Sequence, residues 1–183
     1  MSTTLANLTI NNDPDNHVTD SGTILTVDNL TNARGSHAKS TVTAVTITSD
    51  TTGIGSAAFY LFINLTSITI PDSVTNIESS SFYQCYGITS VDLGNSITSI
   101  PENMFYQCTG ITTVNIPDSV TSIGSNAFYG CTSITNIKFN STSNLTSFAG
   151  FGQCSSLSTV FIDGVATTTI PNSVTNLKSN CLL

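Results

Sequence analysis

The stretch ITTVNIPDSVTSIGSNAFYGCTS, residues 111–133, contains the signals that decide the fold of this 183-residue chain. Its beginning alternates, because apolar Val114 and Ile116 flank polar Asn115, as in a β-strand with one buried face. The Pro-Asp-Ser sequence at 117–119 is typical of a tight turn. The segment that ends in AFYGC is too short for a full α-helix. The stretch therefore predicts a strand, a turn and a 3₁₀ or single helical turn.

This pattern recurs along the chain every 23 residues, in repeats that start at residues 42, 65, 88, 111, 134 and 157. One repeat alone cannot fold, because ordering each residue costs about 1–2 kcal/mol of backbone entropy and the repeat buries few large side chains. Stacked repeats share one core, which makes the array stable. We therefore predict a repeat solenoid of six coils over residues 42–183. A parallel β-sheet is expected on one face, with short 3₁₀ or helical turns on the other.

The segments at the two ends differ from the repeats. Residues 1–41 predict a β-rich N-terminal cap, because LANLTI (5–10) and GTILTVDNL (22–30) have the pattern of strands. In the last repeat, FIDGVAT (161–167) places Asp-Gly between apolar residues, a common signal for a two-residue β-hairpin loop. No further repeat follows the last coil in this sequence, so its edge is a candidate for self-association.

Four of the five cysteines, Cys85, Cys108, Cys131 and Cys154, occupy the same repeat position. Phe62 holds that position in the first repeat, which predicts an inward structural thiol column of reduced cysteines. Stacked positions are about 4.8 Å apart with parallel side chains, whereas a disulfide needs converging Cβ atoms about 3.8 Å apart. Disulfides and metal binding are the alternatives, and metal is weaker because no His shares the column. Cys181 falls at a different repeat position and is a candidate reactive thiol.

The pattern ITxVxIPDSVTSIGxNAFYGC closely resembles the BspA-like leucine-rich repeats of surface proteins in bacteria and some protists. The resemblance covers residues 42–183, although the first repeat lacks both the Pro turn and the Cys. It implies a leucine-rich-repeat-like solenoid that is used for adhesion or protein binding. It brings no catalytic residues and no cofactor.

The composition argues against several classes of function. The net charge is −7 with only four Lys and Arg, so the clustered cations that bind nucleic-acid phosphates are missing. No apolar run approaches the roughly 18–20 residues of a membrane span, and the N-terminus lacks a signal-peptide pattern. The glycines at 53–57 and the aspartates at 13–16 indicate a coil bend and a turn rather than a nucleotide or calcium loop. We expect no enzyme, cofactor, metal site, nucleic-acid partner or membrane insertion.

Two columns of surface residues are candidate binding sites. The fifth repeat position is chemically varied, as a recognition surface should be, and its candidate ligand-binding residues are Thr69, Asp92, Asn115, Lys138 and Phe161. An alternative surface ladder consists of Tyr60, Tyr83, Tyr106 and Tyr129. This ladder is either a half-buried stack that shields the coil or a second binding surface.

These features predict a non-enzymatic protein-binding or adhesion module of a cell-surface or secreted protein. Its partner would be a protein, such as a host or extracellular-matrix protein. The alternative is an intracellular or assembly-type structural scaffold. An export leader or an anchor, neither of which is visible in this sequence, would distinguish the two.

Overall fold

The computed structural model describes residues 42–139, 145–148 and 150–162, and five further strands at 8–10, 17–18, 24–25, 165–167 and 176–177. In this part of the chain every regular element is a β-strand. The strands are β1 (Leu8–Ile10), β2 (His17–Val18), β3 (Ile24–Leu25), β4 (Val45–Ile47), β5 (Gly53–Ile54), β6 (Ser67–Thr69), β7 (Asn76–Ile77), β8 (Ser90–Asp92), β9 (Ser99–Ile100), β10 (Thr113–Asn115), β11 (Ser122–Ile123), β12 (Asn136–Phe139), β13 (Ser147–Phe148), β14 (Thr159–Ile162), β15 (Val165–Thr167) and β16 (Asn176–Leu177).

The longer strands of successive coils, β4, β6, β8, β10, β12 and β14, lie side by side and form what we call the strand row. Strand β6 pairs with β8, β10 with β12, and β12 with β14, all in parallel and with partner residues 23 positions apart. Between β8 and β10 the Thr112 N–H donates to the Thr89 carbonyl over 3.4 Å. The parallel sheet predicted from the repeat period is therefore confirmed.

The two-residue strands form a second parallel row on another side of the coils. Their hydrogen-bonded orders are β3-β5-β7 and β9-β11-β13-β16. Within this row Ile54 lies opposite Ile77, and Ile100 lies opposite Ile123. Strand β3 comes from the N-terminal segment and places Leu25 opposite Ile54, so the cap continues the row beyond the first coil.

The core fills the space inside the coils and is continuous from coil to coil. Alternating burial in β6, β8 and β10 sends the central apolar side chain inward, as with Ile68, Val91 and Val114. The buried rings of Phe59, Phe82, Phe105, Phe128 and Phe151 stack with centroids 4.8–5.4 Å apart and interplanar angles of 3–18°. Equivalent residues of successive repeats thus share one core, as the 23-residue spacing predicts.

The structure does not confirm the 3₁₀ or helical turns expected on the remaining side, where the described residues form successive hydrogen-bonded turns. Every second backbone N–H in these turns donates to a carbonyl of its own coil, as when the Tyr60 N–H donates to the Ala57 carbonyl over 3.0 Å. The intervening amides donate to the next coil, as when the Phe59 N–H donates to the Ser81 carbonyl over 2.7 Å. A helix would keep all of these bonds within one coil, so the turns gain inter-coil hydrogen bonds that a helix lacks.

Left-handed residues make this alternation possible. In the first four coils they recur four residues apart, at Ala57 and Leu61, Ser80 and Gln84, Asn103 and Gln107, and Asn126 and Gly130. A residue with positive φ breaks a helical path and redirects the next peptide group. The sequence offers little sign of this, because only Gly130 in this set is a glycine.

Antiparallel strands close the strand row at both ends. Strand β1 pairs antiparallel with β4, and β2 pairs with β1, which gives the predicted β-rich N-terminal cap. At the other end β14 and β15 pair antiparallel with Ile162 opposite Val165, so the predicted hairpin is confirmed. Strand β15 occupies the outer edge of β14. The end of the last coil lies outside the described residues, so self-association through that coil stays a prediction. Cys181 and the aspartates at 13–16 lie outside the described residues.

Candidate binding site

The outward side of the strand row carries the varied column that the sequence singled out. The side chains of Thr69, Asp92, Asn115 and Lys138 are all exposed. The register places Thr69 opposite Asp92, and Asn115 opposite Lys138. Since strands alternate their side chains between the two faces, the same spacing that buries Val91 and Val114 directs their neighbours to solvent.

Three of these residues border one surface groove of about 230 Å³, which we call the axial groove because it crosses three successive coils. Its lining residues are Asp92, Leu93, Gly94, Asn95, Asn115, Ile116, Pro117, Lys138 and Phe139. Leu93, Ile116 and Phe139 are buried members of the core directly beneath the groove. The exposed members are a carboxylate, two amides and an ammonium group, so the rim is polar.

The turn of the third coil forms one end of the axial groove. Pro71 and Pro117 occupy the first turn position in the second and fourth coils, whereas the third coil has Gly94 there. Gly94 has a φ of +63°, and a Cβ at this position would lie 2.5 Å from the Ile70 carbonyl oxygen. A side chain therefore cannot be added without moving the backbone. The third coil therefore approaches the preceding coil closely at this turn.

Hydrogen bonds hold this turn in place. The Asn95 N–H donates to Asp72 Oδ1 of the preceding coil over 2.7 Å. The Gly94 N–H donates to Asp92 Oδ1 over 3.3 Å, which orients that carboxylate at the end of its strand. The groove wall is thus fixed both within its own coil and to the coil below.

The groove has opposite charges at its two ends. Asp92 lies in the third coil, Asn115 in the fourth and Lys138 in the fifth. Neighbouring strands are about 4.8 Å apart, so two steps separate the backbones of Asp92 and Lys138 by roughly 10 Å. The arrangement suits a ligand with a cationic and an anionic group at a matching distance.

The structure therefore brings Asp92, Asn115 and Lys138 together and leaves Thr69 outside the groove lining. Phe161 is one strand further, with its backbone in register with Lys138. Gly94, Asn95 and Pro117 were missed by the sequence analysis. The signal that points to them is the replacement of the turn proline by Gly94 in one repeat.

The tyrosine ladder forms on a different side of the coils. The half-buried rings of Tyr60, Tyr83, Tyr106 and Tyr129 stack with centroids 5.4, 4.6 and 5.1 Å apart. Desolvation, followed by the neighbouring phenols of Tyr106, Tyr60 and Tyr86, raises the pKa of Tyr83. Beside the rings, the Gln84 side-chain amide donates to Gln107 Oε1 over 2.7 Å. The inner rings have neighbours on both faces, so they offer edges rather than faces to a ligand.

The four cysteines at the repeated position are free thiols, of which Cys85, Cys108 and Cys131 are buried and Cys154 is half-buried. Each thiol lies 3.0–3.1 Å from a phenylalanine carbonyl of the preceding coil, with Cys108 Sγ donating to the Phe82 oxygen. Burial raises the pKa of the Cys108 and Cys131 thiols. Among the described residues no group of three or more His, Cys, Asp or Glu is arranged to hold a metal ion.

The same described part of the chain contains no helix long and apolar enough to cross a membrane.

Comparison with known proteins agrees with this architecture. A family model for the BspA type leucine rich repeat region, in six copies, matches residues 34–158 and 100–183. The structure is similar to a leucine rich cell surface protein from Faecalibacterium prausnitzii, with 28% sequence identity and a TM-score of 0.63. It also shares its fold with a leucine rich repeat protein from T. pallidum (24%, TM-score 0.51) and with the pneumococcal vaccine antigen PcpA (20%, TM-score 0.57).

These similarities extend over 67%, 60% and 71% of this chain, but over only 32%, 62% and 34% of the three solved structures. The chain therefore spans less than two thirds of the length of each of them. No curated protein sequence gives a significant match. The family model covers well over half of the chain, and its repeats coincide with coils that the structure shows directly. The chain therefore belongs to the BspA type leucine-rich repeat family.

Proposed function

We propose that this protein is an adhesion module of a cell-surface or secreted protein and that it binds its protein partner through the axial groove. The family and the similar solved structures support a repeat module for protein interaction, and repeat regions of this kind are generally non-enzymatic scaffolds. The similar F. prausnitzii protein is a cell surface protein, which supports the surface location. A host or extracellular-matrix protein is the proposed partner class.

The observation that carries the proposal is the grouping of Asp92, Asn115 and Lys138 around one groove. These residues are 23 positions apart in sequence and meet only because the coils stack. Elsewhere on the outward side of the strand row the third repeat position carries small polar groups such as Ser67 and Ser90. The groove thus combines two opposite charges with amides, an arrangement that gives an interface its specificity.

The test is binding of the purified chain to immobilised extracellular-matrix extract, measured by biolayer interferometry. The double variant Asp92→Ala, Lys138→Ala should weaken binding by about fivefold or more, while its melting temperature stays nearly unchanged because both side chains are exposed. Glu102→Ala is the matched control, since Glu102 is also exposed and does not line the groove. Phe161→Ala tests whether the site extends one strand further.

Two outcomes would overturn this assignment. If the double variant binds as well as the wild type while Tyr83→Ala, Tyr106→Ala abolishes binding, the tyrosine ladder is the interface. If the wild type binds no extracellular protein at micromolar concentration, the structural scaffold becomes the better explanation.

A further inference from the structure

We infer that the axial groove binds a polyproline-II segment of the partner, with a basic and an acidic side chain three residues apart. The inference rests on the proposed function, because it specifies the chemistry of the partner at the same site. The segment would run along the solenoid axis, with its cation at Asp92 and its anion at Lys138.

The spacing of the two charges selects this conformation. The backbones of Asp92 and Lys138 are two strand steps apart, or roughly 10 Å. A polyproline-II helix rises about 3.1 Å per residue with three residues per turn, so residues i and i+3 lie on one side about 9.3 Å apart. An extended β-strand instead places side chains of one face about 6.7 Å apart. The first distance matches the groove and the second does not.

The middle of the groove fits the backbone of such a segment. A polyproline-II chain makes no internal hydrogen bonds, so its peptide groups need external partners. Asn115 is an exposed amide in the coil between the two charged ends, and it offers both a donor and an acceptor. Pro117 belongs to the coil between those of Asp92 and Lys138, and it contributes an apolar ring to the groove lining.

The charge complementarity also favours an extended occupant over a flat surface. Asp92 and Lys138 lie in one line with Asn115 because all three hold the same repeat position. A rigid segment that reaches both ends at once keeps its two charges in place at low entropic cost, since polyproline-II is already formed in the free peptide.

The experiment uses fluorescein-labelled, proline-flanked peptides and the full 183-residue chain, with binding measured by fluorescence anisotropy at low salt. The spacing series is Lys-Pro-Glu, Lys-Pro-Pro-Glu and Lys-Pro-Pro-Pro-Glu, and the charge series is Lys-Pro-Pro-Lys and Glu-Pro-Pro-Glu. The wild type should prefer Lys-Pro-Pro-Glu over every other peptide by about two- to fivefold, the range expected for one exposed charge pair. The preference should decrease as salt is added.

Single charge reversals provide the sharper test. Asp92→Lys should shift the preference to Glu-Pro-Pro-Glu, and Lys138→Glu should shift it to Lys-Pro-Pro-Lys. Glu102→Lys changes the net charge by the same amount as Asp92→Lys but lies outside the groove, so it should leave the preference unchanged. Peptide reversal is not informative, because a polyproline-II segment can bind in either direction.

The inference is overturned if the three spacings bind equally or if the reversals do not change the preferred peptide. Failure of the adhesion proposal would appear differently. If matrix binding requires Asp92 and Lys138 but no peptide in the series is preferred, the interface stands and the polyproline-II partner is wrong. If the peptide preferences appear but matrix binding is absent, the groove chemistry stands and the extracellular partner class is wrong.

Discussion

Thr51 is a polar residue in an apolar column. Its side chain is fully buried and its hydroxyl has no hydrogen-bond partner, whereas the equivalent positions hold Val74, Ile97 and Val120. A buried unpaired hydroxyl costs about 1–3 kcal/mol. Thr51→Val keeps the shape of the side chain and removes the hydroxyl, so it should raise the free energy of unfolding by about 1 kcal/mol.

Guanidinium chloride denaturation measures this change, with Thr75→Val as the control. Thr75 holds the next position of the repeat and is exposed, so its replacement should change the stability by less than about 0.5 kcal/mol. A destabilised Thr51→Val protein would mean that the hydroxyl has a partner.

The thiol of Cys108 is more than a small apolar group. Its hydrogen bond to the Phe82 carbonyl links two coils at a distance of 3.0 Å. A serine here would bring a hydroxyl into the core, and the Phe82 carbonyl offers it an acceptor. Cys108→Ala should therefore lower the free energy of unfolding by about 1–2 kcal/mol, and Cys108→Ser should cost less than Cys108→Ala. Chemical denaturation of both variants would show the order, and a reversed order contradicts the role of the hydrogen bond.

The raised pKa values of Cys108 and Cys131 predict a loss of stability in alkali. In the unfolded chain these thiols ionise near their usual pKa of about 8.5, while burial keeps them protonated in the folded protein. The folded state then binds more protons than the unfolded state, so the free energy of unfolding falls as the pH rises above about 8.5. Cys108→Ala should reduce this slope. Denaturation between pH 7 and pH 10 measures it, and a slope that is the same in the variant would contradict the assignment.

At the scale of the element, the turns depend on left-handed residues. Ala57 has a φ of 54°, and the equivalent residues in the next coils are Ser80, Asn103 and Asn126. Asparagine tolerates this conformation better than alanine does. Ala57→Asn should raise the melting temperature, with a gain of about 0.5–1 kcal/mol in the free energy of unfolding.

Ala57→Val is the opposing variant, because a β-branched residue is strained at positive φ. It should lower the melting temperature in a thermal unfolding scan. If both variants destabilise the protein equally, side-chain space rather than backbone conformation decides this position.

At the scale of the whole molecule, we expect the strands that flank the strand row to limit self-association. Strand β1 covers the edge of β4, and β15 covers the edge of β14. Open edges pair with other chains, whereas an antiparallel strand ends the parallel array. A chain that starts at residue 42 loses β1, β2 and β3 and should form dimers or larger species. Light scattering after size exclusion, compared with the full chain at the same concentration, tests this, and a monomeric truncated chain would contradict it.

The division of residues 42–183 into six repeats with a cap at 1–41 stays a prediction, but the period itself follows from the sequence alone. Residues such as Phe82 and Phe105 recur at one interval with the same neighbours, and a strand with one buried face repeats its polarity every second residue. When such repeats stack, equivalent residues of neighbouring coils lie opposite one another. This is why the parallel pairing and the phenylalanine stack were predictable. The hairpin was predictable too, because its signal, Asp-Gly between apolar residues, lies within the hairpin's own sequence.

The tertiary structure alone decided the features that depend on neighbouring coils. The turns are not helical, because amides such as that of Phe59 find a carbonyl in the next coil, and no single repeat contains that partner. The axial groove exists because stacking brings residues of three coils, among them Asp92, Asn115 and Lys138, to one surface, whereas the sequence shows only that they share a repeat position. The closed edge at β14 likewise depends on where β15 folds. Local patterns determine which side chains face inward, whereas hydrogen bonds and cavities between coils depend on atoms that only stacking brings together.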